Sequence, residues 1–277
     1  MKISSIRQFF SNALKKIPIR YRTLVYKLIR TIIPGRRSIL AAKYLKGSGL
    51  EIGAMHNPLR LSRGVSVQYV DYFSREENLE RFSEIGHLNL VNPHFVEDGF
   101  TLPSFKSSSM DFLIANHVLE HSNNLYKTLN RWAEVLRPHG TLFFSVPVVD
   151  LCFDRGRRPT AIEHFVLDFE LESAGNLDVF REETKNHYIE WLSISLPAML
   201  TEQGLDYDRK NKIEELLKKT ADELLAENDD IHFHTFTPTS FKGLLDYFCS
   251  NIRRDFKVLE IAQNNGEIIG ILKRVAN

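Results

Sequence analysis

Cysteine is nearly absent from this chain of 277 residues. Two, Cys152 and Cys249, exclude a disulfide scaffold and any four-thiolate zinc site. A reducing, cytoplasmic setting is the simpler expectation. Long apolar runs are missing too: no stretch of about 18 uncharged hydrophobic residues occurs, so no spanning helix is expected. Acidic residues are lacking from the first 40 positions, which hold ten of the 36 Lys and Arg and none of the 35 Asp and Glu. Under an overall charge of +1, the rest of the chain is therefore net acidic. Nothing in it builds the phosphate-neutralising stripe of a nucleic-acid binder. The length suits one large domain with an elaboration, or two small ones.

Residues 1–40 form a basic, amphipathic segment. Ile3, Ile6, Phe10 and Leu14 repeat at helical spacing, Pro18 interrupts, and Leu24, Leu28, Ile32 and Ile33 resume among Arg22, Lys27 and Arg30. Charges break every candidate core of a secretory signal. Two readings stand. Such a segment docks on a protein partner or on anionic lipid at the inner face of a membrane, or it packs on its own domain.

From Gly49 the pattern changes. Gly49-Leu50-Glu51-Ile52-Gly53 is a short apolar strand entering a glycine turn, and Val65–Asp71 is a second strand tipped by a carboxylate. Glycine lets a backbone approach a ligand closely, and an acid at the second strand tip accepts hydrogen bonds from a ribose diol. Met55 stands where a dinucleotide fingerprint has its second glycine, so a nucleoside without a pyrophosphate fits better. Phe95–Gly99, Asp111–Asn116 and Thr141–Pro147 read as further strands, with an amphipathic helix over Leu125–Leu136. Strand–helix alternation of this kind means a parallel sheet covered on both faces. At the end, Thr237-Pro238 caps a helix running to about Cys249, and Asn264-Asn265-Gly266 turns a hairpin.

Leu50–Ala54, Tyr69-Val70-Asp71, Asp111–His121 and Leu136–Leu142 together resemble the class I S-adenosylmethionine-dependent methyltransferases. The resemblance covers about 41–150 and 237–277. The wording around Glu51, Asn116–His121 and Thr160–Phe165 is similar to a bacterial subgroup associated with sugar and cell-surface polysaccharide biosynthesis. It implies an α/β, Rossmann-like sheet of seven mostly parallel strands with the last antiparallel. The cofactor domain would span 41–147 and 237–277, with a helical cap inserted at 148–236. It also implies S-adenosylmethionine as cofactor and S-adenosylhomocysteine as product. Glu51 and Gly53, with Ala54 beside them, line the methionine part. Asp71 holds the ribose hydroxyls, Asp98 lies near the adenine amino group, and Asn116 and His117 face the transferred methyl.

A hydroxyl acceptor needs a base near neutral pKa, or a metal. His164, bracketed by Glu163 and Asp168, is the leading base, with His117 and His121 behind it. In the cap, Arg155 and Arg158 suit an anionic or hydroxylated acceptor. His187 and Trp191 offer faces on which a sugar stacks, or simply build a core. His232-Phe233-His234 on a strand would set two imidazoles on one face, but no third ligand is named by the sequence, and no metal is assigned. Lys210–Asn228 reads as one charged cap helix. A methyl transfer to a small-molecule or glycan acceptor is the expected activity. The alternatives are a methyltransferase-like module that docks without turnover and an NAD-dependent oxidoreductase, which would need the missing glycines.

Overall fold

The computed structural model describes residues 35–82, 88–201 and 207–275. The membrane or partner role expected of the basic leader falls mostly on residues 1–34, outside the described residues. Its last part belongs to the domain. Helix α1 (Arg36–Tyr44) runs across the expected 40/41 boundary. Arg37 pairs with Glu267, and Arg36 donates to the Gln263 carbonyl at 2.8 Å.

Seven strands form one sheet: β1 (Ser48–Ile52), β2 (Ser66–Asp71), β3 (Phe95–Val96), β4 (Met110–Asn116), β5 (Leu136–Pro147), β6 (Phe256–Asn264) and β7 (Glu267–Arg274). Their order is β3-β2-β1-β4-β5-β7-β6, and β7 alone runs antiparallel to its neighbours β5 and β6. This is the Rossmann-like sheet of the class I methyltransferase fold. The chain steps from β1 outward to β3, then returns to β4 on the other side of β1. That reversal opens a crevice at the strand C-termini, where α/β sheets bind ligands.

The sheet is covered on both faces. On one, Leu50, Ile52, Leu113 and Phe144 pack against Leu125, Leu129 and Trp132 of α3 (Leu125–Val135), which follows α2 (Arg75–Arg81). On the other, Phe112, Ile114 and Phe143 meet Leu40 and Ala41 of α1. The helix Pro238–Tyr247 starts as its sequence foretells: the Thr237 hydroxyl accepts from the Ser240 amide, and Pro238 takes the first helical position. In the closing hairpin Asn265 and Gly266 both have positive φ, 45° and 91°, the pair that a two-residue turn of this hand demands.

Between β5 and that helix lies the helical cap: α4 (Ile162–Ser173), α5 (Leu177–Glu190), α6 (Leu196–Met199), α7 (Tyr207–Leu216) and α8 (Ala221–Glu227), before α9 (Pro238–Tyr247). The cap has its own core, including Tyr188, Trp191, Leu196, Ile213, Leu224 and Phe233. Two expectations need correction. Lys210–Asn228 is two helices, because Thr220 and Glu223 form a reciprocal capping box that restarts the chain as α8. Residues 232–234 form no regular strand, and their imidazoles part company.

Candidate active site

The crevice is walled by the turns after β1 and β4. Gly53 leaves β1 at φ +63°, and a β-carbon there would stand 3.0 Å from Val118 Cγ2, so the two turns come together at that point. Glu51 is buried before this turn. Its Oε1 accepts the Leu59 amide at 2.8 Å, while Oε2 has no partner. Burial raises its pKa to about 7, against the Leu59 amide and the Arg37 charge. Ala54 is buried beside it. Asp71 ends β2 half-buried, its pKa raised by burial, with the Phe73 amide 3.4 Å from Oδ1. Tyr72 follows with 64% of its surface exposed, a flat face that the sequence reading passed over. Asp98 is spent locally: Oδ1 accepts from the Phe100 amide at 2.8 Å and Oδ2 from the Thr101 hydroxyl at 2.7 Å.

Asn116 ends β4. Its Oδ1 accepts from the Ser145 hydroxyl at 3.1 Å, whereas its buried Nδ2 donates to nothing. His117 sits at φ +57°, a strained position for a residue with a β-carbon. Its Nε2 lies 3.1 Å from Glu267 and its Nδ1 3.4 Å from Glu120. Burial pulls its pKa down, but those two carboxylates outweigh it and raise it to about 9. With 42% of the side chain in solvent, screening weakens this preference.

One turn on, His121 Nδ1 is 2.6 Å from Asp230 Oδ1. Burial opposes the charged imidazole, and the Asp230 carboxylate raises its pKa to about 8. His232 packs edge-on to His121, ring centroids 4.7 Å apart, and its own Nδ1 lies 2.6 Å from Asp154 Oδ2. Asp154 also accepts from Ser195 at 2.6 Å and from Arg157 at 3.2 Å, and these partners overcome burial to hold it at about 2. Glu120, fully buried, completes the group: it, His121 and His232 bring ligand atoms within 4.8 Å of one another.

The structure therefore sets Glu51, Gly53, Asp71, Asn116, His117 and His121 along the ends of β1, β2 and β4. It adds Glu120, three residues from His117, and Asp154, Asp230, His232 and Glu267, whose pairings with one another or with His121 and His117 span 78 to 150 residues. It treats the cap residues differently. His164 is no free base: its Nε2 lies 2.8 Å from His187 Nε2 and 3.3 Å from Asp168. Trp191 is buried in the cap core, without a face to offer a sugar. Arg155 and Arg158 are exposed, whereas Arg157 between them is buried, donating to the His232 and Phe233 carbonyls at 2.7 and 2.8 Å. Arg157 thereby fixes the segment that carries His232.

These features fit S-adenosylmethionine. A glycine at the crevice lets the backbone come close. The unpartnered Glu51 oxygen and Asn116 amide are polar groups awaiting a ligand. Asp71 offers a half-buried carboxylate at the end of the neighbouring strand β2.

Among comparisons, residues 47–144 match a family model described as a methyltransferase domain. No curated protein matches the chain. Of solved structures, it is similar to a Rhodobacter sphaeroides protein described as a Zn-dependent alcohol dehydrogenase (15% identity, 88% of this chain and 91% of that one, TM-score 0.48). It is also similar to a SAM-dependent methyltransferase of Methanosarcina mazei (18%, 85% and 96%, 0.44) and to another of Aquifex aeolicus (9%, 100% of both, 0.41). Overlaps this loose bear on no substrate. The matched segment and the strand order together support an S-adenosylmethionine-dependent methyltransferase.

Proposed function

We propose that the protein methylates a hydroxyl of a sugar or glycan terminus, with His121 as general base. When bound, S-adenosylmethionine supplies a methyl group on a sulfonium sulfur, activated for in-line displacement. Gly53 and Glu51 receive its amino-acid end, and Asp71 its ribose. The chain's task is then alignment and removal of one proton.

One observation selects the base. His117 has both ring nitrogens against carboxylates, and His164 Nε2 faces His187 and Asp168. His164 moreover lies on cap helix α4, whereas His121 follows β4 at the crevice, commits Nδ1 to Asp230 and has no hydrogen bond at Nε2 among the described residues. Asp230 fixes the tautomer that presents Nε2 as acceptor and stabilises the imidazolium once the proton has moved. The neighbouring carboxylates of Glu120 and Asp154 suit a polyhydroxylated acceptor better than an anionic one.

In the same reading the basic segment 1–40 holds the protein at an anionic membrane surface or on a partner. No helix among the described residues is long and apolar enough to cross a membrane. Flotation with anionic liposomes, lost on removal of residues 1–34, is the expected result; no flotation of the intact chain refutes the membrane role.

Calorimetric titration with S-adenosylhomocysteine tests the cofactor assignment. Binding that Asp71→Ala weakens is expected, and binding of NADH in its place would overturn it. Radiolabelled methyl transfer into extracts rich in surface glycan tests the acceptor. Label in sugar is expected, while label confined to protein or lipid amines would displace the glycan reading.

A further inference from the structure

Inside the cap, four side chains converge that the proposed reaction does not use. His164 and Asp168 stand one turn apart on α4 and so leave the same face. His187 comes from α5, and His234 from the extended segment that follows α8. His164 Nε2 lies 2.8 Å from His187 Nε2 and 3.3 Å from Asp168 Oδ2, and Asp168 Oδ2 lies 3.9 Å from His234 Nε2. The four ligand atoms all fall within 4.8 Å of one another. Four donors at zinc bond lengths around a tetrahedral centre stand about 3.4 Å apart. The three distances straddle that value.

Left to themselves, these groups are poorly satisfied. Asp168 Oδ2 and both ring nitrogens of His234 are buried without a hydrogen-bond partner, and His234 is wholly inaccessible. An imidazole always carries one N–H or one lone pair at each nitrogen, so a buried ring with neither used calls for an explanation. The Phe233 main chain lies beside His187, and the Asn123 main chain beside His234.

We propose that His164, Asp168, His187 and His234 form a four-coordinate zinc site. Three imidazoles and a carboxylate suit zinc among divalent ions, and four protein ligands leave no open position for substrate. The ion is therefore structural. It ties α4 and α5 to the segment 231–236 and so sets where His232, two residues before His234, meets His121. These four are positioning residues, and the proposal stands whatever the methyl acceptor is.

Metal content of the full-length chain, purified without added metal, tests this. One equivalent of zinc is expected from the wild type. Asp168→Asn and His234→Gln should each lower it at least tenfold, whereas Glu120→Gln, in the neighbouring group, should keep it. Replacement by Co2+ should give the intense visible bands of tetrahedral cobalt, which does not depend on any variant folding. Circular dichroism separates lost metal from lost structure. A folded wild type that takes up neither zinc nor cobalt overturns the proposal. So does the pale spectrum of octahedral cobalt, or zinc that only Glu120→Gln removes.

Discussion

Glu51→Gln probes the crevice where stability and binding conflict. Glu51 is 1% exposed, with one oxygen on the Leu59 amide and the other unpartnered. Burial raises its pKa from 4.5 to about 7 despite that amide and Arg37. The folded chain thus prefers Glu51 protonated. Its contribution to stability is full below about pH 4.5 and is lost as pH rises through about 7. The gap between the two values amounts to about 3 kcal/mol. Glutamine stays neutral throughout, so the variant escapes this loss. It has a cost of its own, because Nε2 becomes a buried donor where Oε2 was an unpaired acceptor, about 1–3 kcal/mol. That cost does not vary with pH. The signature is therefore a difference in slope: from about pH 4.5 to about pH 8 the variant should gain about 3 kcal/mol relative to wild type. Urea unfolding at several pH values measures it, and histidines that titrate in this range cancel between the two chains. S-adenosylhomocysteine should meanwhile bind the variant more weakly. Parallel stability curves would show that Glu51 ionises freely in the fold and refute the reasoning.

Three further outcomes follow from the same geometry. His121→Ala should abolish turnover while leaving S-adenosylhomocysteine affinity intact, and Asp230→Asn should move the rising limb of the pH–rate profile down from about 8 toward the ordinary histidine range; a profile that does not move removes this pair from catalysis. Arg157→Met should cost about 3–5 kcal/mol in urea unfolding, because it strands a buried carboxylate, Asp154, and frees the carbonyls of His232 and Phe233; a loss below about 1 kcal/mol would mean that Ser195 and His232 suffice for Asp154. Gly53→Ala should lose about 1–2 kcal/mol from its left-handed backbone and push against Val118, which chemical denaturation and cofactor titration both read.

What was legible in the sequence is what short-range physics encodes. The strand–glycine turn at Gly53, the acid at Asp71, the Thr237-Pro238 cap and the Asn265-Gly266 turn each depend on neighbours within four residues. Even the break between α7 and α8 was written locally, as Thr220 followed three residues later by Glu223, but a continuous charged amphipathic pattern masked it. The buried polar groups were not legible, because their partners are remote. Asp154 meets His232 across 78 residues, and His121 meets Asp230 across 109.

The segment 231–236 shows how a correct residue type yields a wrong neighbourhood. A two-residue period holds only where a ladder of hydrogen bonds keeps a strand flat. Here only Phe236 bridges to β5's continuation at Val148, and the amides of Phe233 and His234 both turn to the Glu120 carbonyl. Freed from a ladder, the backbone twists, and alternate residues no longer share a face. His232 goes toward Asp154 and His121, His234 toward Asp168 and His187. Arg157 holds the joint by binding the carbonyls of His232 and Phe233 together. One dipeptide step thus couples the cap's polar interior to the crevice, and a disturbance on either side should register on the other.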